Sequence, residues 1–174
     1  MNLETLGKMA SLPPDMTPLQ IGTRGRYDSK GFELVGRLKI GWQDGTWNEW
    51  YALFDDGREG WIAEAQGLLM MSFQLQDTHH VPDRAKISIG HSFPLVGDQI
   101  FQVDDIKEAI CVGSEGELPL KGPKGRKSLS VDLSGPRDQF ACIDYSDDGV
   151  RLYVGIYVDI EKLSLTALRV IDGW

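Results

Sequence analysis

The strongest structural signal in this chain is an Asp-Gly pair, Asp56-Gly57, placed between the runs 47–55 and 58–65. Asp-Gly between two such runs favours a β-hairpin, because a type I′ turn needs positive φ at both of its central residues. Residues 32–40 alternate apolar and polar side chains, as a half-buried strand does, and residues 68–75 form a further apolar run. The sequence therefore predicts an all-β protein, mainly antiparallel, with at most short helices.

Two parts of the chain carry similar landmarks. Ile-Gly at 21–22 recurs at 89–90, and Asp-Asp-Gly at 55–57 recurs at 147–149. Such recurrence indicates a tandem repeat, here two related small barrel-like or sandwich-like β units packed together. The predicted division is a mobile leader at 1–20, a first β unit at 21–75, a linker at 76–86, and a second β unit at 87–174 with an inserted loop at 113–138.

A two-residue loop would fix the register of the first hairpin. Glu49 would then lie opposite Glu64, and Trp50, Trp61 and Phe54 would share the other face. Large aromatic side chains stabilise a fold most when they are buried, so hydrophobicity alone places these three aromatic residues inside.

The second predicted hairpin, around Asp148-Gly149, gives the opposite answer. One of its faces is plainly apolar and carries Tyr145, Ile143, Ala141, Val150, Leu152, Val154 and Ile156. By the repeat, the equivalent core face of the first hairpin carries Leu53, Tyr51 and Ile62. We interpret the conflict as a first hairpin covered on both faces, its aromatic face by the other copy, the leader or another chain. A ligand platform is the alternative interpretation.

Glu49 opposite Glu64 would be a destabilising pair of like charges. Arg24, Arg26 and Arg37 are close in sequence, which favours a structural ion-pair network around the two carboxylates. A paired-carboxylate acid/base site or a cation position is the sharper alternative.

Composition excludes several classes of function. The 174-residue chain has a formal net charge of -8, and nucleic-acid binding depends on cations that contact phosphates, so no nucleic-acid partner is expected. The basic run at 121–127 is interpreted as a solvated loop. No run approaches the roughly 18 apolar residues of a membrane span, and the N-terminus lacks the apolar stretch of a secretory signal. We predict a cytoplasmic location, with Cys111 and Cys142 as free thiols.

Catalytic and cofactor motifs are absent from the sequence. It has no Cys-x-x-Cys zinc pair, no glycine-rich phosphate loop and no Ser/His/Asp pattern in a strand–turn–helix context. The sequence predicts no catalytic residue, no metal site and no cofactor, and favours a protein that is not an enzyme.

Several motifs resemble the bacterial family called domain of unknown function 4178. The resemblance covers roughly residues 18–165 and is carried by IGTRGRY at 21–27, FELVGR at 32–37, GTWNEWY at 45–51, FDDG at 54–57 and GELP at 116–119. It implies no established activity. Such relatives tend to be encoded beside membrane-stress, phage-shock-like and polyamine-related genes, which implies a stress or conflict system. Many of them look as if they carry an N-terminal zinc ribbon, but residues 1–20 here contain no cysteine.

The resulting expectation is an interaction module that binds a protein partner, such as a membrane-associated stress protein, and is compatible with a homo-oligomer. The alternative is a small-molecule or cation binder, with a polyamine as one suitable ligand because ammonium groups favour aromatic faces and carboxylates. An enzyme using paired carboxylates ranks last. The candidate binding residues are Trp47, Trp50, Phe54, Trp61, Glu49, Glu64 and Glu59.

Overall fold

Ten strands form one antiparallel sheet in the computed structural model, which describes residues 16–170. Within that range no helix has the length and apolar character needed to cross a membrane. The predicted all-β class is confirmed. The strands are β1 (Arg24–Tyr27), β2 (Lys30–Trp42), β3 (Gly45–Phe54), β4 (Glu59–Ala65), β5 (Leu68–Leu75), β6 (Ser92–Val96), β7 (Gln99–Gly116), β8 (Lys127–Ser134), β9 (Gln139–Ser146) and β10 (Gly149–Val158). Short 3₁₀ turns occupy Arg84–Lys86, Pro136–Asp138 and Ile160–Leu163.

The sheet closes on itself as an eight-stranded barrel. The strand order is β1-β2-β3-β4-β5-β10-β9-β8-β7-β6, and an additional pairing of β2 with β7 closes the ring. β1 and β6 lie outside the ring, each paired to the start of the following long strand. The two halves of the chain are thus joined by β5–β10 and β2–β7 into one barrel, whereas the sequence predicted two units packed together.

Hydrogen bonds at the start of each half support the predicted repeat. The Gly22 amide donates to the Leu34 carbonyl at 2.8 Å, and the Gly90 amide donates to the Val103 carbonyl at 2.8 Å. A β-bulge follows in both halves, after Leu34 in β2 and after Val103 in β7. Both strand pairs that close the barrel, β2–β7 and β5–β10, join strands of equal rank in their halves. The two halves therefore occupy equivalent places in the barrel, as the two subunits of a two-fold symmetric dimer do.

The predicted inserted loop at 113–138 is wrong, because β8 lies within it. Leu129, Val131 and Leu133 alternate with polar residues along this strand and face the apolar side of the wall. The second Asp-Asp-Gly accordingly joins the fourth and fifth strands of its half, whereas the first joins the third and fourth. The Asp-Asp-Gly turns at 55–57 and 147–149 therefore do not occupy equivalent places in the two halves. The additional residues that precede the second turn form a strand and not an inserted loop.

The two large apolar clusters lie on the outside of the barrel wall, and Ile110 and Val112 form a third, small cluster. The outer side of the first half packs with Leu19, which precedes β1, and with Leu163, which follows β10, and each is 1% exposed. The outer side of the second half is covered by β6 and by the segment 76–91, and the Tyr145 hydroxyl donates to the Pro82 carbonyl at 2.7 Å. The predicted linker thus packs on the barrel. Of the predicted leader, residues 1–15 lie outside the described range.

Candidate functional site

The loop of the first hairpin has three residues, 55–57, and this changes the predicted register. The Phe54 amide donates to the Arg58 carbonyl at 2.9 Å, and Gly57 has a φ of 89°. One extra loop residue shifts the pairing by one position, which exchanges the faces of one strand relative to the other. Glu49 lies opposite Ala63 and not opposite Glu64.

The three aromatic residues that were predicted to share a face are divided between the two sides of the wall. Trp50 and Phe54 are 1% and 3% exposed and belong to the first outer cluster with Ile62. Trp61 lies on the inner side against Tyr51, with ring centroids 5.1 Å apart. The predicted core face of Leu53, Tyr51 and Ile62 is also wrong, since Leu53 is 40% exposed.

Glu64 lies on the outer side of the wall, where it is hydrogen-bonded to side chains of the protein itself. Its carboxylate accepts hydrogen bonds from the Thr17 hydroxyl at 2.6 Å, the Asn48 amide at 3.1 Å and the Trp50 indole at 3.1 Å. The predicted carboxylate pair of Glu49 and Glu64 does not exist. Glu59 is exposed at the start of β4. Within the described range, no group of three His, Cys, Asp or Glu side chains is arranged to hold a metal ion.

The inner side of the barrel encloses a cavity of about 430 Å³. All eight strands of the ring contribute alternate side chains to it, and the loop at 117–126 contributes Leu120, Pro123 and Arg126. The lining is mixed aromatic, polar and charged. Its principal side chains are Trp42, Trp47, Glu49, Trp61, Asp105, Lys107, Cys111, Arg126, Ser130, Asp132, Cys142, Asp144, Arg151 and Tyr153.

Lys107 is held at one side of this cavity by two carboxylates and two indole rings. Its ammonium lies 2.7 Å from Asp132 and 2.9 Å from Asp105. It also lies 5.2 Å from the centre of the Trp42 ring and 6.0 Å from that of Trp47. The carboxylates raise the pKa of Lys107 against the opposing effect of burial, so this amine stays protonated.

Arg126 reaches inward from the end of the loop at 117–126. Its guanidinium contacts Asp144 at 3.0 Å and Asp148 at 3.2 Å. Arg151 also binds Asp148, at 3.1 Å, and hydrogen bonds from Arg151, Ser146 and Arg126 lower the pKa of Asp148. Arg126 Nε and Asp144 Oδ1 are buried without a hydrogen-bond partner among the described residues. Both atoms belong to side chains that line the cavity.

Glu49 is the least compensated charge in the cavity. Its one hydrogen bond within residues 16–170 comes from the Trp47 indole at 3.1 Å, and it makes no ion pair there. Burial raises the pKa of Glu49 to about 7. The Trp47 hydrogen bond and the charge of Arg126 oppose the rise, and the charges of Asp144 and Asp132 add to it. Near neutral pH both the protonated and the ionised form of this carboxyl group are therefore present.

The thiols and the phenol in the cavity remain neutral. Burial raises the pKa of Cys111, Cys142 and Tyr153 above their usual ranges. Both cysteines are free, as predicted. A cysteine nucleophile needs an accessible thiolate, and burial disfavours one at Cys142, although a contact with the Ser130 hydroxyl at 3.7 Å opposes this effect.

A groove of about 820 Å³ lies at one end of the barrel. The groove and the cavity share Met70, Asp105, Asp132 and Phe140 in their linings. Asp104, Asp138 and Tyr157 also line the groove, and Tyr157 is 56% exposed. The cavity thus adjoins an acidic, aromatic groove at the surface.

The sequence found part of this site. It singled out Trp47, Glu49 and Trp61, which line the cavity, but it missed Lys107 and Arg126. The available signal was polar alternation: Ser128, Ser130 and Asp132 in β8, and Cys142 and Asp144 in β9, repeat every second residue on the side opposite the apolar face. A polar stripe on a strand that is otherwise buried indicates a wall facing a polar interior.

A family model, Domain of unknown function (DUF4178), matches residues 20–160. The chain belongs to this family. No curated protein and no solved structure matches the chain. The match to DUF4178 extends from before β1 to beyond β10, so the closed barrel and its cavity both lie within the DUF4178 domain.

Proposed function

We propose that this protein binds a small organic molecule inside the barrel. The observation that carries the proposal is the chemistry of the inner wall. The interior of an eight-stranded barrel is either filled by side chains or holds one small ligand. Here the apolar packing lies outside the wall, while aromatic and charged side chains surround a cavity of about 430 Å³.

The size and lining of the cavity fit this function. Small-molecule sites generally have volumes of about 300–1,000 Å³ and combine aromatic walls with a few polar groups that orient the ligand. Trp47, Trp61 and Tyr153 supply the aromatic surface, and Arg126 and Asp144 each supply a buried polar atom that has no hydrogen-bond partner among the described residues. Buried polar atoms without partners are costly to a fold, and a ligand that pairs with them recovers that cost.

The protein-partner hypothesis loses its principal contacts in this arrangement. Trp50 and Phe54 are buried in the first outer cluster, so neither offers a surface to a docked protein. A link to membrane stress stays a prediction. We also propose a cytoplasmic location, which the two free cysteines support, because thiols stay reduced in that compartment.

Filling the cavity tests the proposal. Ala63 lines the cavity beside Glu49, as its register partner on the neighbouring strand β4, and Ala63→Phe would occupy much of the ligand's space. Ala85→Phe, at an exposed position in the 3₁₀ turn Arg84–Lys86, is the matched control. A library of polar metabolites with cationic, neutral and anionic members would be screened by ligand-observed NMR and by thermal shift.

We expect some library members to bind the wild type and Ala85→Phe, and to lose binding to Ala63→Phe. Circular dichroism establishes that each variant is folded. The proposal is overturned if no member binds the wild type, or if the binders retain full affinity for a folded Ala63→Phe variant.

A further inference from the structure

We infer that the ligand carries a protonated amine, and that this amine binds Glu49 beside the ring of Trp47. The inference rests on the proposed function, because it assumes that the cavity is a ligand site. It names the chemical class of the ligand and the residue that recognises its charge.

The distribution of ion pairs around the cavity singles out Glu49. Asp105 and Asp132 both pair with Lys107, and Asp144 pairs with Arg126. Glu49 is the remaining carboxylate of the lining, and within residues 16–170 only the Trp47 indole donates to it. A buried carboxylate is strongly stabilised by a cation nearby and costly without one. The missing complement in this cavity is therefore a positive charge.

The protein already holds one ammonium group in the same cavity by the same chemistry. Lys107 lies between two carboxylates and over two indole rings, one of which is Trp47. Aromatic faces attract cations with energies that grow as water is excluded. Glu49 lies next to Trp47 on β3, and Trp61 lines the cavity from the neighbouring strand. The Glu49 side of the cavity offers aromatic rings and a carboxylate that forms no ion pair within residues 16–170.

The groove beside the cavity favours the same class of ligand. Asp104 and Asp138 add carboxylates to a rim that also contains Tyr157, and Arg137 is the cation among the groove's own residues. Acidic clefts with low-dielectric walls raise the local concentration of cations. The groove that adjoins the cavity thus attracts the same positive charge as Glu49 does.

Binding of an amine should depend on pH through Glu49. Burial raises the pKa of Glu49 to about 7, and a cation binds the ionised form. At pH 5 only about 1% of this carboxyl group is ionised, so affinity should fall by up to about 100-fold between pH 8 and pH 5. The other charged groups facing the cavity are Asp105, Asp132, Asp144, Lys107, Arg126 and Arg151, all held in ion pairs. The neutral thiols and phenol have raised pKa values, so they do not titrate between pH 5 and pH 8.

Three six-carbon probes of equal length and different charge provide the test: hexylamine, 1-hexanol and hexanoate. Each is titrated by NMR at pH 8 into the wild type, into Glu49→Gln, and into Glu108→Gln. Glu108 is exposed on β7, so its variant removes the same charge outside the cavity. We expect hexylamine to bind the wild type and Glu108→Gln at least tenfold more tightly than the other two probes. We expect Glu49→Gln to weaken hexylamine at least tenfold.

The possible results separate this inference from the function on which it rests. If 1-hexanol or hexanoate binds as tightly as hexylamine, or if Glu49→Gln leaves hexylamine binding unchanged, the amine inference is overturned while ligand binding in the barrel stands. The same holds if hexylamine fails to bind although library members bind in a way that Ala63→Phe abolishes. If no molecule of either set binds in the cavity, the proposed function itself fails.

Discussion

Glu49 shows how a single side chain can mark a site. A carboxyl group enclosed by a barrel wall, with one indole as its hydrogen-bond donor, is an unfavourable choice for a fold. Glutamine would keep the hydrogen bond and avoid the charge. The sequence drew attention to Glu49 through a supposed clash with Glu64, which the true register removes. The unfavourable feature is real, but its cause is burial.

Glu49→Gln should stabilise the protein at high pH. The pKa of Glu49 is about 7 in the fold and about 4.5 in the unfolded chain, so the folded state binds more protons between these values. Stability contributed by the protonated form is therefore present at low pH and lost as pH rises from about 4.5 to about 7. We expect Glu49→Gln to raise the free energy of unfolding by up to about 3 kcal/mol at pH 8 and by little at pH 4. Urea unfolding at both pH values checks this, and an equal effect at both would contradict the account.

Single hairpins show what the sequence could and could not provide. In the second hairpin the predicted apolar face is correct, with Ile143 and Leu152 paired and fully buried. Its loop consists of residues 147–148 and not 148–149. This moves the pairing by two positions, so each side chain stays on the face predicted for it. In the first hairpin a single additional loop residue moves the pairing by one position, which exchanges the faces of one strand relative to the other. Loop length depends on φ values that the letters Asp-Asp-Gly do not specify, so the face of Trp50 could not be derived from pattern alone.

Trp50 and Trp61 should respond differently to the same substitution. Trp50→Phe removes the hydrogen bond to Glu64 and leaves a void in a fully buried cluster. We expect it to lower the free energy of unfolding by about 2–4 kcal/mol and to leave ligand affinity unchanged. Trp61→Phe, on the cavity side, should lower the free energy of unfolding by less than Trp50→Phe does, and it should lower the affinity for the ligand. Urea unfolding and titration with the best-binding library member measure both effects. Loss of ligand affinity in a folded Trp50→Phe variant would contradict the assigned faces.

The whole molecule depends on two strand pairings between its halves, and neither is visible in local sequence. β2 meets β7 and β5 meets β10 across long separations, and periodicity within a strand does not reveal its distant partner. The repeat gave the right number of halves but suggested two units, because a half-barrel and a separate small unit have the same alternating pattern. The existence of a cavity follows only from closure, since closure brings the polar stripes of all eight strands to face one another.

Glycines at both of these pairings allow the close approach. A Cβ on Gly155 would lie 1.8 Å from the Met71 carbonyl oxygen, and a Cβ on Gly36 would lie 1.9 Å from the Glu117 carbonyl oxygen. We expect Gly155→Ala to lower the free energy of unfolding by about 3 kcal/mol, because the backbone itself must move. Gly122→Ala is the control, since it meets no atom within 4 Å and pays only for its positive φ, about 1 kcal/mol. Urea unfolding compares the two variants, and equal losses would contradict the pairing of β5 with β10.

The indole N–H signals of the tryptophans give the most direct test of a ligand site inside the barrel. A ¹H–¹⁵N spectrum is recorded as the best-binding library member is added to the wild type. If the ligand binds in the cavity, the indole signals of Trp47 and Trp61 will shift with the titration, while that of Trp50, on the far side of the wall, will stay in place. A shift confined to Trp50, or saturable binding that moves none of the cavity tryptophans, would show that the ligand binds elsewhere.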